Sequence, residues 1–316
     1  MSARFLTGLA AAASAEFWGS LPSVSDMPQI YVHMGLPKTA TTTLQTQVLM
    51  GHSAWVYLGT RLPRVLNADA DFKRLEAYVQ RGEGRAEEVT AALLARHQRE
   101  GKPLMVSEEN FSIGAFEGYP AGHPLTHTRS AKLDRLCEVL QPMDAVVMVS
   151  LRPFRKAVFS AFVEYQEQWA QSGASPTELV QHSDVMGMYR YAQLRQELES
   201  RWPGRVHALD FADIVRGEVR WLGFSWQAAA PLPNTRQHPR AEGGVKREVV
   251  RKRPLLPLAK ALAPWAPGVA HSLWSVRARH EVFVPFWTDD MWKGLKALEE
   301  ESDAARKAWL GLSDPN

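Results

Sequence analysis

Cysteine is nearly absent from this chain. Its 316 residues hold one, Cys137, which excludes an intramolecular disulfide and any multi-cysteine metal site and fits a reducing compartment. A small apolar role on a helix is expected for it. Also missing is any apolar run near the roughly 20 residues that a membrane-spanning helix requires. Net charge is low as well: +3 over the whole length is too little to suggest a nucleic-acid partner. That charge is nonetheless uneven. Between Arg236 and Arg253 seven Lys or Arg face two Asp or Glu, so the rest of the chain is slightly acidic. Metal-ligand spacing is likewise poor. His123 and His127 stand four apart, but Gly122 and Pro124 argue against a helix there and no third ligand is evident, so no metal is expected.

What is present is ordinary globular material, 45 % apolar and 22 % charged, long enough to bury a substantial core. Five short β-branched or apolar runs read as buried strands: 29–34, 54–58, 103–107, 144–151 and 205–210. Helical periodicity occupies 41–50, 70–81, 85–99, 130–140, 154–170 and 184–201. Alternating strands and helices imply a three-layer α/β/α fold around a mainly parallel sheet of about five strands. Beyond about residue 212 the alternation stops. Pro-rich and Trp-bearing segments follow, and an amphipathic helix from about Asp289 to Leu310 closes the chain. The economical division is an extension, 1–27, and one domain, 28–316, with its core at 28–212 and an irregular, partly helical elaboration at 213–316.

Ligands of such sheets bind at the carboxyl ends of the strands. The first of those ends carries IYVHMGLPKTATTTLQ, residues 30–45. Gly35 permits a tight path, Pro37 fixes φ, and the amides that follow open a helix whose N-terminus attracts an anion. Lys38 adds a mobile positive charge, and Thr39, Thr41, Thr42 and Thr43 add hydroxyls at a cost in helix propensity. The plainer alternative is a Thr-rich helix start with a solvated lysine. A Walker loop needs Gly-x-x-x-x-Gly-Lys-Ser/Thr, and here Val32 and Pro37 stand where the glycines belong, which disfavours a triphosphate kinase.

Strand followed by HMGLPKTATTTLQ resembles the 5′-phosphosulfate loop of the sulfotransferases, whose pattern is Pro-Lys-Ser/Thr-Gly-Thr-Thr. That family's second motif, a strand, an arginine, a nearby proline and a serine eight residues on, resembles VVMVSLRPFRKAVFSAFVEY with Arg152 and Ser160. The family's third element resembles KPLMVSEENFS, where a carboxylate at a strand end takes the acceptor proton in carbohydrate-modifying and bacterial members. The resemblance spans roughly 28–212 and implies a P-loop-like fold and 3′-phosphoadenosine 5′-phosphosulfate as donor, with no metal. It implies Lys38 at the bridging oxygen, and Gly35, Pro37, Thr39, Ala40, Thr41, Thr42 and Thr43 around the 5′-phosphate. Arg152 and Ser160 would hold the 3′-phosphate. Glu109 would be the base, because Ser-x-Glu-Asn resembles the Ser-Ser-Glu of bacterial relatives, with Glu108 as alternative. Successive strand residues point to opposite faces, so one of the two reaches an acceptor. Lys246 and Arg247 resemble, loosely, a late basic loop that closes over the 3′-phosphate.

Departures are Ala40 in place of the usual glycine, Thr43 where cytosolic members carry a stacking tryptophan, and Pro153 directly after the arginine. The first two lean toward the bacterial and carbohydrate-modifying branch, and so toward a carbohydrate or glycoconjugate acceptor bearing a hydroxyl or amine. Alternatives from other classes are a P-loop-like nucleotide kinase and a non-catalytic nucleotide-binding protein whose basic segment meets an anionic polymer or membrane surface. MSARFLTGLAAAASAEF imitates a short signal peptide. The plainer reading is a packing helix or frayed end, with the protein in the cytoplasm, where the donor is made. His33 and Trp55 read as packed core residues.

Overall fold

The computed structural model describes residues 28–61, 69–115, 126–172, 176–221, 224–228, 240–241, 244–250, 279–285 and 288–312, with single positions between 258 and 269. The N-terminal stretch, His123 and most of the Pro-rich and Trp-bearing region lie outside these residues. The chain divides into two compact units, 1–234 with 293–316, and 235–292.

In chain order the first unit opens with β1 (Ile30–Gly35), α1 (Thr41–Leu44) prolonged by a wider π turn (Gln45–Leu49), and β2 (Val56–Gly59). It continues through α2 (Ala70–Arg81), α3 (Ala86–Glu100), β3 (Leu104–Ser107), a 3₁₀ turn (Glu109–Phe111), α4 (Arg129–Leu140) and β4 (Ala145–Leu151). Then come α5 (Phe154–Ser172), α6 (Pro176–His182), α7 (Asp184–Gly187), α8 (Tyr191–Glu199), β5 (Val206–Asp210), α9 (Phe211–Arg216), β6 (Glu218–Trp221) and β7 (Phe224–Gln227). The second unit contains β8 (Arg240–Ala241), β9 (Gly244–Val250) and β10 (Arg279–Pro285), an antiparallel sheet in the order β10-β9-β8. Short α10 (Asp289–Lys293) precedes α11 (Lys296–Leu310), which belongs to the first unit.

All five expected strands form one parallel sheet in the order β2-β3-β1-β4-β5. Every residue of β1 and of β4 is buried, as continuous apolar runs in a sheet covered on both faces demand. From β1 the chain goes first to β2 at one edge, returns to lay β3 between β2 and β1, and then adds β4 and β5 on the other side of β1. The carboxyl end of β1 is therefore the switch point where such sheets take their ligands.

Three helices differ from their sequence expectation, the first two because a side chain is needed elsewhere. The helix expected over 41–50 is α-helical for one turn and then widens, with the Met50 amide donating to the Gln45 carbonyl. The widened turn seats buried Gln45, whose Nε2 donates to the Ser107 hydroxyl at 3.1 Å. The stretch 184–201 breaks between α7 and α8. Tyr189 and Tyr191 are both fully buried and both donate to backbone carbonyls, of Pro37 at 2.8 Å and Arg152 at 2.7 Å. On an unbroken helix, residues two apart point about 200° apart, so both bonds could not form. The closing helix breaks at Gly294–Leu295, and α11 packs on α5, α8 and β5.

Candidate functional site

The β1–α1 loop sits on a glycine that no other residue can replace. A Cβ at Gly35 would lie 2.2 Å from the Thr41 hydroxyl. Past Pro37 the chain turns left-handed twice at residues other than glycine, with φ 66° at Lys38 and 64° at Ala40. Each such residue costs about 1–2 kcal/mol, which the surrounding bonds must offset. Those bonds are visible. The Thr39 hydroxyl donates to the Leu36 carbonyl at 2.6 Å and the Thr41 hydroxyl donates to the same atom at 3.1 Å. Thr39 and Thr41 are buried, whereas Lys38, Ala40, Thr42 and Thr43 are half-buried. The four threonines thus divide. Two hold the loop's shape with their single protons, and two stand half-buried at the helix start.

Beneath the loop runs a polar relay. His33 is fully buried, with Nδ1 2.8 Å from the Ser107 hydroxyl and Nε2 2.8 Å from the Ser150 hydroxyl. In the neutral ring one nitrogen donates and the other accepts. Burial pulls its pKa down to about 3, because a charged imidazole would have no water around it. This histidine ties β3, β1 and β4 together under the loop; it does not face a reactant.

Arg152 leaves the end of β4 and turns back toward the loop. Its Nη1 donates to the Lys38 carbonyl at 3.0 Å, and its Cζ lies 4.5 Å from the centroid of the Phe211 ring. Its Nε is buried and has no hydrogen-bond partner among the described residues. Burial lowers the pKa of this guanidinium from its ordinary value, as desolvation of a cation must. Ser160 follows on α5, half-buried. The N-terminus of α5 is spoken for: the Phe154 amide donates to Asp303 Oδ1 of α11 at 2.8 Å. Arg306 of the same helix donates to Asp210 Oδ1 at 2.9 Å, next to Phe211. The terminal helix therefore braces both neighbours of Arg152, and nothing in its amphipathic pattern gave notice of that.

At the end of β3 the two adjacent carboxylates part. Glu108 is fully buried, its Oε2 accepting from the Thr60 hydroxyl and its Oε1 from the Asn110 amide at 3.0 Å. Glu109 is half-buried and begins the 3₁₀ turn. Ser112, two residues past the middle of that turn, donates to the Gly35 carbonyl at 3.1 Å and shares its proton with the Glu109 carbonyl at 2.9 Å. The turn bearing Glu109 is thereby fastened to the start of the β1–α1 loop.

Lys246 and Arg247 fall on β9, in the second unit, and their side chains lie outside the described residues. Trp55 is buried and donates to the Leu49 carbonyl at 2.8 Å, a packing role. No group of three or more His, Cys, Asp or Glu that could hold a metal occurs among the described residues, and no helix among them is long and apolar enough to cross a membrane. The sequence motifs gave no sign of Tyr189, Tyr191, Phe211, Thr60 or Lys132. Each acts through a contact made across more than ten residues of chain, Thr60 through the Glu108 carboxylate and the others through a backbone carbonyl or a ring, and only the strand-end placement of Phe211 and Thr60 could have flagged those two.

No protein-family model matches the chain, and no curated protein sequence matches it either. Among solved structures, a sulfotransferase from Alicyclobacillus acidocaldarius is similar at a TM-score of 0.43 and 12 % identity, over 91 % of this chain and 97 % of that one. A likeness so slight adds nothing to the site, which rests on its own geometry.

Proposed function

We propose that this chain is a sulfotransferase that moves a sulfuryl group from 3′-phosphoadenosine 5′-phosphosulfate to a hydroxyl or amine on a carbohydrate or glycoconjugate acceptor. The observation that carries the reading is Arg152, a desolvated guanidinium that bonds the β1–α1 loop at Lys38 and keeps a buried Nε–H without an acceptor among the described residues. A cation held this way is matched by an anion. Placed between the strained loop and α5, it suits a donor with two separate phosphates better than a linear triphosphate.

The residues fit that donor as follows. The amides of Lys38 and of Ala40 onward, with Thr42 and Thr43, take the 5′-phosphate, while Thr39, whose amide donates to the Leu36 carbonyl, and Thr41 keep the loop in shape. Arg152 and Ser160 take the 3′-phosphate. The donor supplies an activated sulfuryl group. Glu109 accepts the acceptor's proton as the new O–S (or N–S) bond forms. Lys38 stabilises the phosphate oxygen that departs with the electron pair of the broken S–O bond. Glu108, buried and committed to Thr60 and the Asn110 amide, orients the turn. Positioning and charge stabilisation carry most of the acceleration, as in phosphoryl transfer.

Thermal shift and calorimetry with two ligands test the reading. Adenosine 3′,5′-bisphosphate in EDTA is expected to bind and stabilise the protein, and ATP with magnesium is expected to do neither. The reverse result replaces this reading with a nucleotide kinase. A screen with radiolabelled donor against chito-oligosaccharides, dextran oligomers and octyl glucoside then defines the acceptor class.

A further inference from the structure

A fully buried lysine lies beside the site with no part in the chemistry above. Lys132 of α4 has none of its surface exposed. Its Nζ donates to the Ile113 carbonyl at 2.7 Å and reaches the Asn110 carbonyl at 3.4 Å. These carbonyls flank the far half of the turn that begins with Glu109. Burying an ammonium is costly, and a methionine of similar volume would pack there without that cost. Burial accordingly lowers the lysine's pKa to about 8, against the opposing fields of Asp184 and Glu108. The charge is kept where apolar packing would serve, and what it does there is hold two backbone oxygens.

The rest of the turn shows why that matters. Its entry is fixed by β1, since the Glu108 amide donates to the His33 carbonyl at 3.1 Å. The end of β2 holds the Glu108 carboxylate through Thr60, and Ser112 binds Gly35. Phe111 is fully buried within the turn. Lys132 supplies the anchor from the α4 side, closing the turn from beneath while Glu109 stays half-exposed. We infer that Lys132 is a positioning residue for Glu109: its ammonium holds the 109–113 backbone so that this carboxylate, and not Glu108, stands at the carboxyl end of β3 facing an acceptor. The inference rests on the sulfotransferase reading and names the part of the fold that gives its base a fixed place.

The test uses the full-length protein, with Lys132→Met and Lys132→Arg made alone and in a Glu109→Gln background. Two quantities are read: the Kd for adenosine 3′,5′-bisphosphate, and kcat for transfer of labelled sulfuryl to whichever probe in the acceptor screen turns over fastest. Lys132→Met is expected to keep Kd within about twofold and lower kcat by about 10- to 100-fold, the size of effect that misplacement of a catalytic group produces. Lys132→Arg, which keeps a charged donor, is expected to recover part of that loss. In the Glu109→Gln background the Met substitution is expected to change the residual rate by less than about twofold, since its effect runs through the group already removed. A wild-type kcat in Lys132→Met, or a full additional loss in the double variant, overturns the inference and leaves the function standing. If Lys132→Met does not fold, Lys132→Gln, a shorter and uncharged side chain, decides: unchanged kcat overturns the inference, and a lowered kcat with intact Kd supports it. A wild-type protein that neither binds the bisphosphate nor transfers label overturns both readings together.

Discussion

Replacing His33 by glutamine should flatten the pH dependence of folding. The imidazole is fully buried between two hydroxyls, and burial holds its pKa near 3, against 6.5 for a free side chain. A base with a depressed folded-state pKa is neutral in the native state while the unfolded chain takes up a proton. Its contribution is therefore fully present above pH 6.5 and is lost progressively as pH falls toward 3. At pH 5 the unfolded state has gained about 2 kcal/mol from protonating this one residue, and near pH 3 the loss approaches about 5 kcal/mol. Glutamine offers one donor and one acceptor group at a similar reach and does not titrate. It should cost about 1–3 kcal/mol at pH 7.5 through imperfect bonds. Between pH 7.5 and pH 5, however, it should lose about 2 kcal/mol less than the wild type. His52, His127 and His207 also have pKa values lowered chiefly by burial, but they are present in both proteins and cancel in the difference. Urea unfolding followed by tryptophan fluorescence at both pH values measures it. Parallel stability curves for the two proteins would refute the claim that a neutral His33 clamps the three central strands.

Ala40→Gly should raise stability by about 0.5–1 kcal/mol, the relief of a left-handed alanine less the extra chain entropy of glycine, read from the urea midpoint. A lowered midpoint would mean the Ala40 methyl contributes packing that outweighs the strain. Arg152→Ala should weaken adenosine 3′,5′-bisphosphate binding by about 10- to 100-fold, the worth of charge-assisted hydrogen bonds. Arg152→Lys should recover little of that affinity, because an ammonium reproduces neither the planar stack on Phe211 nor the fork reaching Lys38. Calorimetry decides both, and wild-type affinity in the alanine variant would remove Arg152 from the phosphate site. Glu109→Gln should leave bisphosphate affinity intact while turnover falls by about 10²-fold or more; unchanged turnover would exclude it as the base.

How much was legible in the chain varies with the range of the interaction concerned. Five strands and the first turn could be read from local pattern, because a strand buried on both faces must be apolar throughout and a tight turn must bend at glycine or proline. Lys38, Arg152 and Glu109 could be singled out because each lies within three residues of a strand's carboxyl end, and parallel order brings strand ends to one edge. Hydroxyl direction was not legible. Thr39 and Thr41 face inward and Thr42 and Thr43 do not, which depends on the left-handed turns at Lys38 and Ala40.

The sequence by itself determined the α/β alternation, the place of the β1–α1 loop and the residue types offered there, since these depend on neighbours along the chain. Only the tertiary structure decided which of Glu108 and Glu109 is buried, and that Tyr189 and Tyr191 would break a helix to brace Pro37 and Arg152. It alone placed the closing helix against α5 and β5, and Lys132 under the turn at β3. Those outcomes are set by desolvation and by hydrogen bonds between segments far apart in the chain, whose partners are defined only once the sheet has assembled.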